Sequence, residues 1–188
     1  MKKLSDLPIG AKIKDVNTKY NGHTLVWIIA DKNHQGYPAN TVTLISERIL
    51  AKRKFDGRTA RYKDSEIWKR INVNNGLLKD FSSDFKNAIA STTINIKYKD
   101  LFNDLITDKI FLLEMSEIEE ISAHGGEKLE LFMGDKNRTP RDFNNNNSSW
   151  WLRTPYDDGI SLDPSGYVDI IDTEGSHSSG YCTAINGV

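Results

Sequence analysis

Cysteine is nearly missing from this chain: Cys182 stands alone in 188 residues. One thiol can form neither an internal disulfide nor a cysteine-pair metal site, so a disulfide scaffold and a zinc ribbon are both excluded. Cys182 falls in a stretch that reads as a strand, which favours a small core residue over a nucleophile. Long apolar runs are missing too. The densest near the start, Leu25 to Ala30, is far shorter than the roughly 18 residues a membrane span needs. No apolar segment follows Met1-Lys2-Lys3-Leu4-Ser5-Asp6, so no secretion signal is read. Synthesis in the cytoplasm is expected, with release by lysis or within a particle left open.

Chemistry-bearing motifs are equally scarce. Gly125-Gly126 precedes no Lys-Ser or Lys-Thr and makes no phosphate loop. The four histidines, His23, His34, His124 and His177, form no His-Glu-x-x-His pair, and no Gly-x-Ser-x-Gly elbow supports a serine nucleophile. Asp157, Asp158, Asp163, Asp169, Asp172 and Glu174 are closely spaced oxygen donors, but the ordered EF-hand loop is absent and turn formation accounts for them. Neither a metal nor a cofactor is expected.

The chain contains 38% hydrophobic and 27% charged residues, an ordinary globular balance, and no linker divides it. A single domain over residues 1–188 is expected. The net charge of −1 hides an asymmetry: residues 1–80 hold 16 Lys and Arg against 8 Asp and Glu, the remainder 9 against 18. Arg48, Lys52, Arg53, Lys54, Arg58, Arg61 and Lys63 form the steepest basic run. Only Phe55 and Tyr62 interleave with it, which suits a solvated face, or a basic half that meets the acidic half, better than a nucleic-acid footprint.

The first part reads as strands: Ile9, Ala11 and Ile13 alternate with polar residues, Asn21-Gly22 makes a tight turn, and the 24–30 and 41–46 runs are β-rich. Helices are expected after Asp64 or Ser65, with Ile67, Trp68 and Ile71 on one face, and after Ser82 or Ser83, with Phe81, Phe85, Ala88 and Ile89 on another. Asn74-Asn75-Gly76 should end the first. Strands are expected over 94–98 and 109–114, followed by a helix whose capping box is Ser116 and Glu119; Glu117, Glu119 and Glu120 then become first-turn charges. Residues 136–148 read as a long surface loop, 167–172 as a strand, 174–180 as a loop and 181–185 as the closing strand.

Ser149-Trp150-Trp151-Leu152-Arg153-Thr154-Pro155 is the centre of this pattern. In an extended segment the two indoles point to opposite faces, Arg153 shares the Trp151 face to stack on it or pair with a carboxylate, and Pro155 ends the strand. Trp27, Trp150, Trp151 and Arg153 are accordingly read as structural anchors. A binding or catalytic role for the same stretch stays open.

These pieces together resemble a family of domains common in Gram-positive bacteria and their prophages. That family has an Ile-Gly turn, a Val-Trp strand, a tryptophan-bearing helix start like residues 65–68, and an Asp-x-Ile/Val-Phe-Leu-Leu strand leading into Ser-x-x-Glu. It ends with Trp-Trp-Leu-Arg-Ser/Thr-Pro and a Tyr-Gly-x-Arg-Pro-Ala strand. The likeness runs from about Leu7 to Asn186; it departs at Cys182-Thr183-Ala184, where the family's arginine is lost. The pattern is also distantly similar to C-type-lectin-like domains, of the formylglycine-generating-enzyme type, in phage receptor-binding proteins. The resemblance implies an α+β fold, a C-type-lectin-like twisted antiparallel sheet with two main helices and long irregular loops. It further implies a non-enzymatic virion protein: a tail or baseplate receptor-binding or surface decoration module, binding itself, other virion proteins or a host cell-surface glycan. Asn145, Asn147, Tyr156, Asp157 and Asp158 are the candidate ligand contacts, since amides and ring faces suit sugars. A structural assembly protein and a glycan hydrolase with paired carboxylates are the competing readings.

Overall fold

The computed structural model describes residues 3–119, 126–134, 138–157 and 166–188. Among them lie ten strands and two α-helices, a mixed α+β fold dominated by sheet. Strands β1 (Lys12–Tyr20), β2 (His23–Lys32) and β3 (Val42–Ser46) form an antiparallel sheet in that order. The Asn21-Gly22 turn joining the first two has both residues at positive φ, 49° and 82°, the backbone that Asn-Gly tolerates at a tight hairpin. β2 is central, as its continuous apolar run predicts.

The second sheet has the order β4 (Lys52–Arg53), β10 (Asn186–Gly187), β7 (Trp150–Pro155), β8 (Tyr167–Ile171), β9 (His177–Tyr181). Here the expected closing strand is corrected. Residues 182–185 form a turn, the strand lies earlier in the Gly/Ser-rich stretch read as a loop, and the final pair 186–187 runs parallel to β7 through Gly187 and Trp150. β5 (Thr92–Tyr98) and β6 (Phe102–Asp108) make a separate hairpin.

Helix α1 (Glu66–Asn72) starts as predicted, Ser65 accepting the Trp68 N–H at 3.1 Å. It ends at Asn72, just short of the Asn74-Asn75-Gly76 cluster, with Val73 extended at its C-cap, and residues 73–80 form a separate 3-10 helix. Helix α2 (Ser83–Ala88) is capped by Ser82 and turns Phe81 inward, but Ala88 is exposed, so the apolar stripe is narrower than its spacing suggests. The 109–114 run, expected as a strand, bends at Lys109 and Ile110 and pairs with no strand among the described residues.

Three buried clusters hold these layers, and β7 faces two of them. Trp151, fully buried, packs edge-on against Phe55 with ring centroids 5.6 Å apart, in a cluster with Ile67, Ile94, Ile170 and Cys182. Leu152 and the half-buried Trp150 face the other way, towards Met115, Ile118 and Phe132. The two indoles thus divide between faces, as an extended Trp-Trp pair must. The third cluster joins the first sheet to α2 through Leu25, Trp27 and Phe81.

Candidate functional site

Arg153 is buried, and its neighbours show why the signature stretch needs it. Its guanidinium gives Nη1 to Glu117 Oε2 at 2.9 Å and to the Leu112 carbonyl at 2.6 Å, and Nη2 to Glu117 Oε1 and Glu114 Oε2, both at 3.0 Å. The Tyr37 hydroxyl donates to the same Glu117 carboxylate. Burial pushes the Glu117 carboxyl up, but the Arg153 charge and the bonds from Arg153, Tyr37 and the Glu114 N–H outweigh it and hold it below its ordinary value. The carboxylate alternative for Arg153 is therefore the one realised. The stacking alternative is corrected in its partner: the guanidinium lies 5.6 Å over Phe111, not on Trp151.

The capping box at Ser116 and Glu119 is corrected with it. The turn is a 3-10 helix, Met115–Glu117, and the Glu114 N–H donates to Glu117 Oε2 at 2.7 Å. Glu117, read as a first-turn charge, is a buried ion-pair partner, while Glu119 pairs with Arg138. Glu120 lies outside the described residues.

The candidate ligand contacts do not converge on one place. Asn145 sits at φ 66° in a turn closed on Asp142, and its Oδ1 accepts from Arg48 Nη1 at 2.8 Å. Asn147 donates to the Thr173 carbonyl at 3.3 Å. Tyr156 is half-buried beside His177, and Asp157 pairs with Lys99 at 2.9 Å. Asp158 lies outside the described residues, as does Asp163. Asp169 pairs with His177 at 3.0 Å and Asp172 caps its own turn, accepting from the Glu174 and Ser176 N–H groups. Among the described residues no group of His, Cys, Asp and Glu is placed to hold a metal ion, and no helix is long and apolar enough to cross a membrane.

What the structure does assemble is a cleft of about 760 Å³ between the first sheet and the rest of the body. Residues 40–50 form one wall, residues 109–113 the facing one, with Trp27, Phe85, Ile89 and Trp150 between. The walls are apolar: Leu44, Ile45, Ile110, Phe111 and Leu113 all contribute. Trp27 is 8% exposed and its indole Nε1–H has no acceptor among the described residues, a buried donor in the lining of an open space. Acidic lining is sparse. Glu47 is the single carboxylate among the described lining residues, and Lys12 takes it at 2.5 Å. Neither wall was marked as a site by its sequence. The signal that was present is the 109–113 run, a stretch of strand-like composition that pairs with no strand among the described residues.

Fold and cleft together define a class: a mixed α+β domain with a ligand-sized apolar space beside an edge strand. Within it, the chain belongs to a family of domains of unknown function, DUF6273, whose profile matches residues 39–188. No curated protein and no solved structure shows a significant match to the chain.

Proposed function

We propose that this protein is a non-enzymatic binding module whose partner enters the cleft between β3 and residues 109–113. The carrying observation is the cleft: about 760 Å³ is far more space than close-packed side chains leave between layers, and it lies within the range of ligand sites. The pairing of the buried titratable groups supports a binding role. A two-carboxylate hydrolase needs both acids in one groove. Among the described residues the buried acids are spoken for, Glu117 by Arg153, Asp104 by Arg61, Asp31 by His34, Asp142 by Lys52 and Asp169 by His177. The resemblance carried by Trp150–Pro155 supplies the setting in this reading, a bacteriophage or prophage particle in which the module docks on other virion proteins or on copies of itself.

A second reading has its own observation. Tyr167 and Tyr181, 51% and 50% exposed, pair across β8 and β9 with ring centroids 5.3 Å apart, and Tyr156 lies next along the chain from Pro155. Exposed rings of this kind suit the apolar face of a sugar.

Selection from a random linear-peptide library, run beside a glycan array, separates the two. The cleft reading expects selected peptides that shift the backbone amide resonances of Ile45 and Phe111 and the Trp27 indole resonance. Glycan binding that shifts Tyr156, Tyr167 and Tyr181 and leaves the cleft silent transfers the role to the tyrosines. No binding in either arm removes both.

A further inference from the structure

The cleft wall is a strand edge. Consecutive residues of a strand point to opposite faces, so a space that touches only a face meets every second residue. This cleft touches all of residues 40–50, both parities, and so runs along the edge of β3. Among the described strands β3 is an outer one, with β2 as its one partner. The Thr41 carbonyl accepts from the Asn33 N–H and the Glu47 N–H donates to the Val26 carbonyl, so odd-numbered residues bond inward and Val42, Leu44 and Ser46 direct their N–H and C=O groups into the cleft. None of these six groups has a partner among the described residues. Across the space, Ile110 and Phe111 likewise leave their backbone groups unpaired, while Leu112 and Leu113 are tied to Arg153 and Tyr62. The open hydrogen-bonding edge of β3 thus faces, across an apolar lining, a segment whose Ile110 and Phe111 backbone groups have no partner among the described residues.

The charges around the cleft select among strands. Lys3, Arg48, Lys109 and Arg141 line it, and none pairs with a carboxylate among the described residues. Arg48 and Lys109 donate to carbonyl oxygens, of Asp142 and Lys86, which do not neutralise them. Glu47 is occupied by Lys12. The rim therefore carries uncompensated positive charge around an apolar slot.

From this we infer that the occupant is an extended acidic peptide, with apolar side chains at alternate positions, which adds to the free edge of β3 as a fourth strand of the first sheet. The inference rests on the reading of the cleft as a binding site and gives that site its ligand chemistry. Backbone pairing with β3 supplies affinity, alternate side chains fill the lining between Leu44 and Phe111, and carboxylates near the strand ends meet Lys109 and Arg141. Five residues of β3 span roughly 17 Å, enough for a recognised core of about five or six residues.

The probe is the blocked octapeptide acetyl-Glu-Thr-Val-Thr-Val-Thr-Val-Glu-amide, titrated by calorimetry against the full chain. Three comparisons are made: the same peptide ending in lysines, and two versions N-methylated at alternate residues in opposite phases. Strand addition expects at least a tenfold loss for one methylated phase, and weaker binding of the lysine-ended peptide. Val42→Pro removes an outward N–H at the first residue of an edge strand, where proline is tolerated, and leaves the ladder to β2 intact; at least tenfold weaker binding is expected. Lys109→Glu with Arg141→Glu, two changes at the cleft rim, should reverse the preference between glutamate-ended and lysine-ended peptides even if the proline variant does not fold.

Equal affinity for both methylated phases overturns strand addition. If library-selected peptides still shift the cleft resonances, the broader binding role stands without it. An unchanged preference after charge reversal overturns the acidic partner. A dimer in sedimentation that Val42→Pro dissolves, with no octapeptide bound, assigns the edge to a second copy of this chain and overturns a separate peptide partner.

Discussion

Replacing Arg153 by methionine leaves the Glu117 carboxylate buried without its counter-charge. Both residues are 3% exposed, so water cannot take over from the guanidinium. Breaking a buried pair from one side costs roughly 3–5 kcal/mol, for this chain length a fall on the order of 10 °C in melting temperature. Arg153→Met with Glu117→Leu should recover most of that loss, because the stranded charge goes as well. Titration gives a sharper signature. In the native protein the Glu117 pKa is held below its ordinary 4.5, so its stabilisation is complete above about pH 4.5 and is lost as the pH falls through the folded value. Without Arg153, burial raises that pKa instead, and the variant should gain relative stability as the pH falls from 7 to 5. Denaturant melts across this range check the inversion; parallel pH profiles for variant and native protein would falsify the buried-pair account. Of this site, the arginine's need for a carboxylate was legible beside Trp151. Its partner was not, because Glu117 lies 36 residues away inside what reads as a capping sequence.

At the scale of elements, the weakest-looking strand has the strictest requirement. β10 is two residues long, yet it joins β4 to β7, and Gly187 is what lets it fit. A Cβ there would meet Ile49 Cδ1 at 2.6 Å and the Ser149 carbonyl at 2.9 Å, the same oxygen that accepts the Gly187 N–H. The isoleucine can shift; the carbonyl cannot without breaking the bond that seats the strand. Gly187→Ala should cost about 1–3 kcal/mol and speed hydrogen exchange at the Leu50 and Val188 amides, which bond across this junction. Elements with local chemistry were legible: Ser65 and Ser82 as caps, Asn21-Gly22 as a hairpin turn. Elements whose pattern is set by distant partners were not. β6 buries Asp104, held by Arg61 at 2.5 Å, and exposes Leu105 at 66%, so its alternation reads inside out. β9 is built of histidine, serine and glycine with one closing tyrosine, on an outer edge where the composition resembles a loop. The 109–113 run has a strand's composition because its apolar side chains line the interior, while its backbone meets β7 only through the Leu113 carbonyl and the Arg153 N–H among the described residues.

For the molecule as a whole, the uneven charge is in part an internal affair. Lys52 and Arg61 from the basic part pair with Asp142 and Asp104 from the acidic part, while Phe55 and Tyr62, the aromatics interleaved with the basic run, are fully buried. A different division matters more for folding. The family match covers residues 39–188, which leaves β1 and β2 wholly outside it. Yet β2 brings Leu25 and Trp27 to one core and Ala30 to another, and among the described strands it is the sole pairing partner of β3. A chain trimmed to 39–188 would expose Phe81, Met115 and Leu129 where β2 had covered their clusters, and would turn β3 into an unpaired ribbon at the mouth of the cleft. Such a fragment should lose near-ultraviolet circular dichroism, bind a hydrophobic dye and melt without a cooperative transition, because a strand that completes two cores cannot be removed without opening both. Retention of a sharp melt and of native near-ultraviolet signal by the fragment would place the folding unit within 39–188 and reduce β1 and β2 to an accessory ribbon.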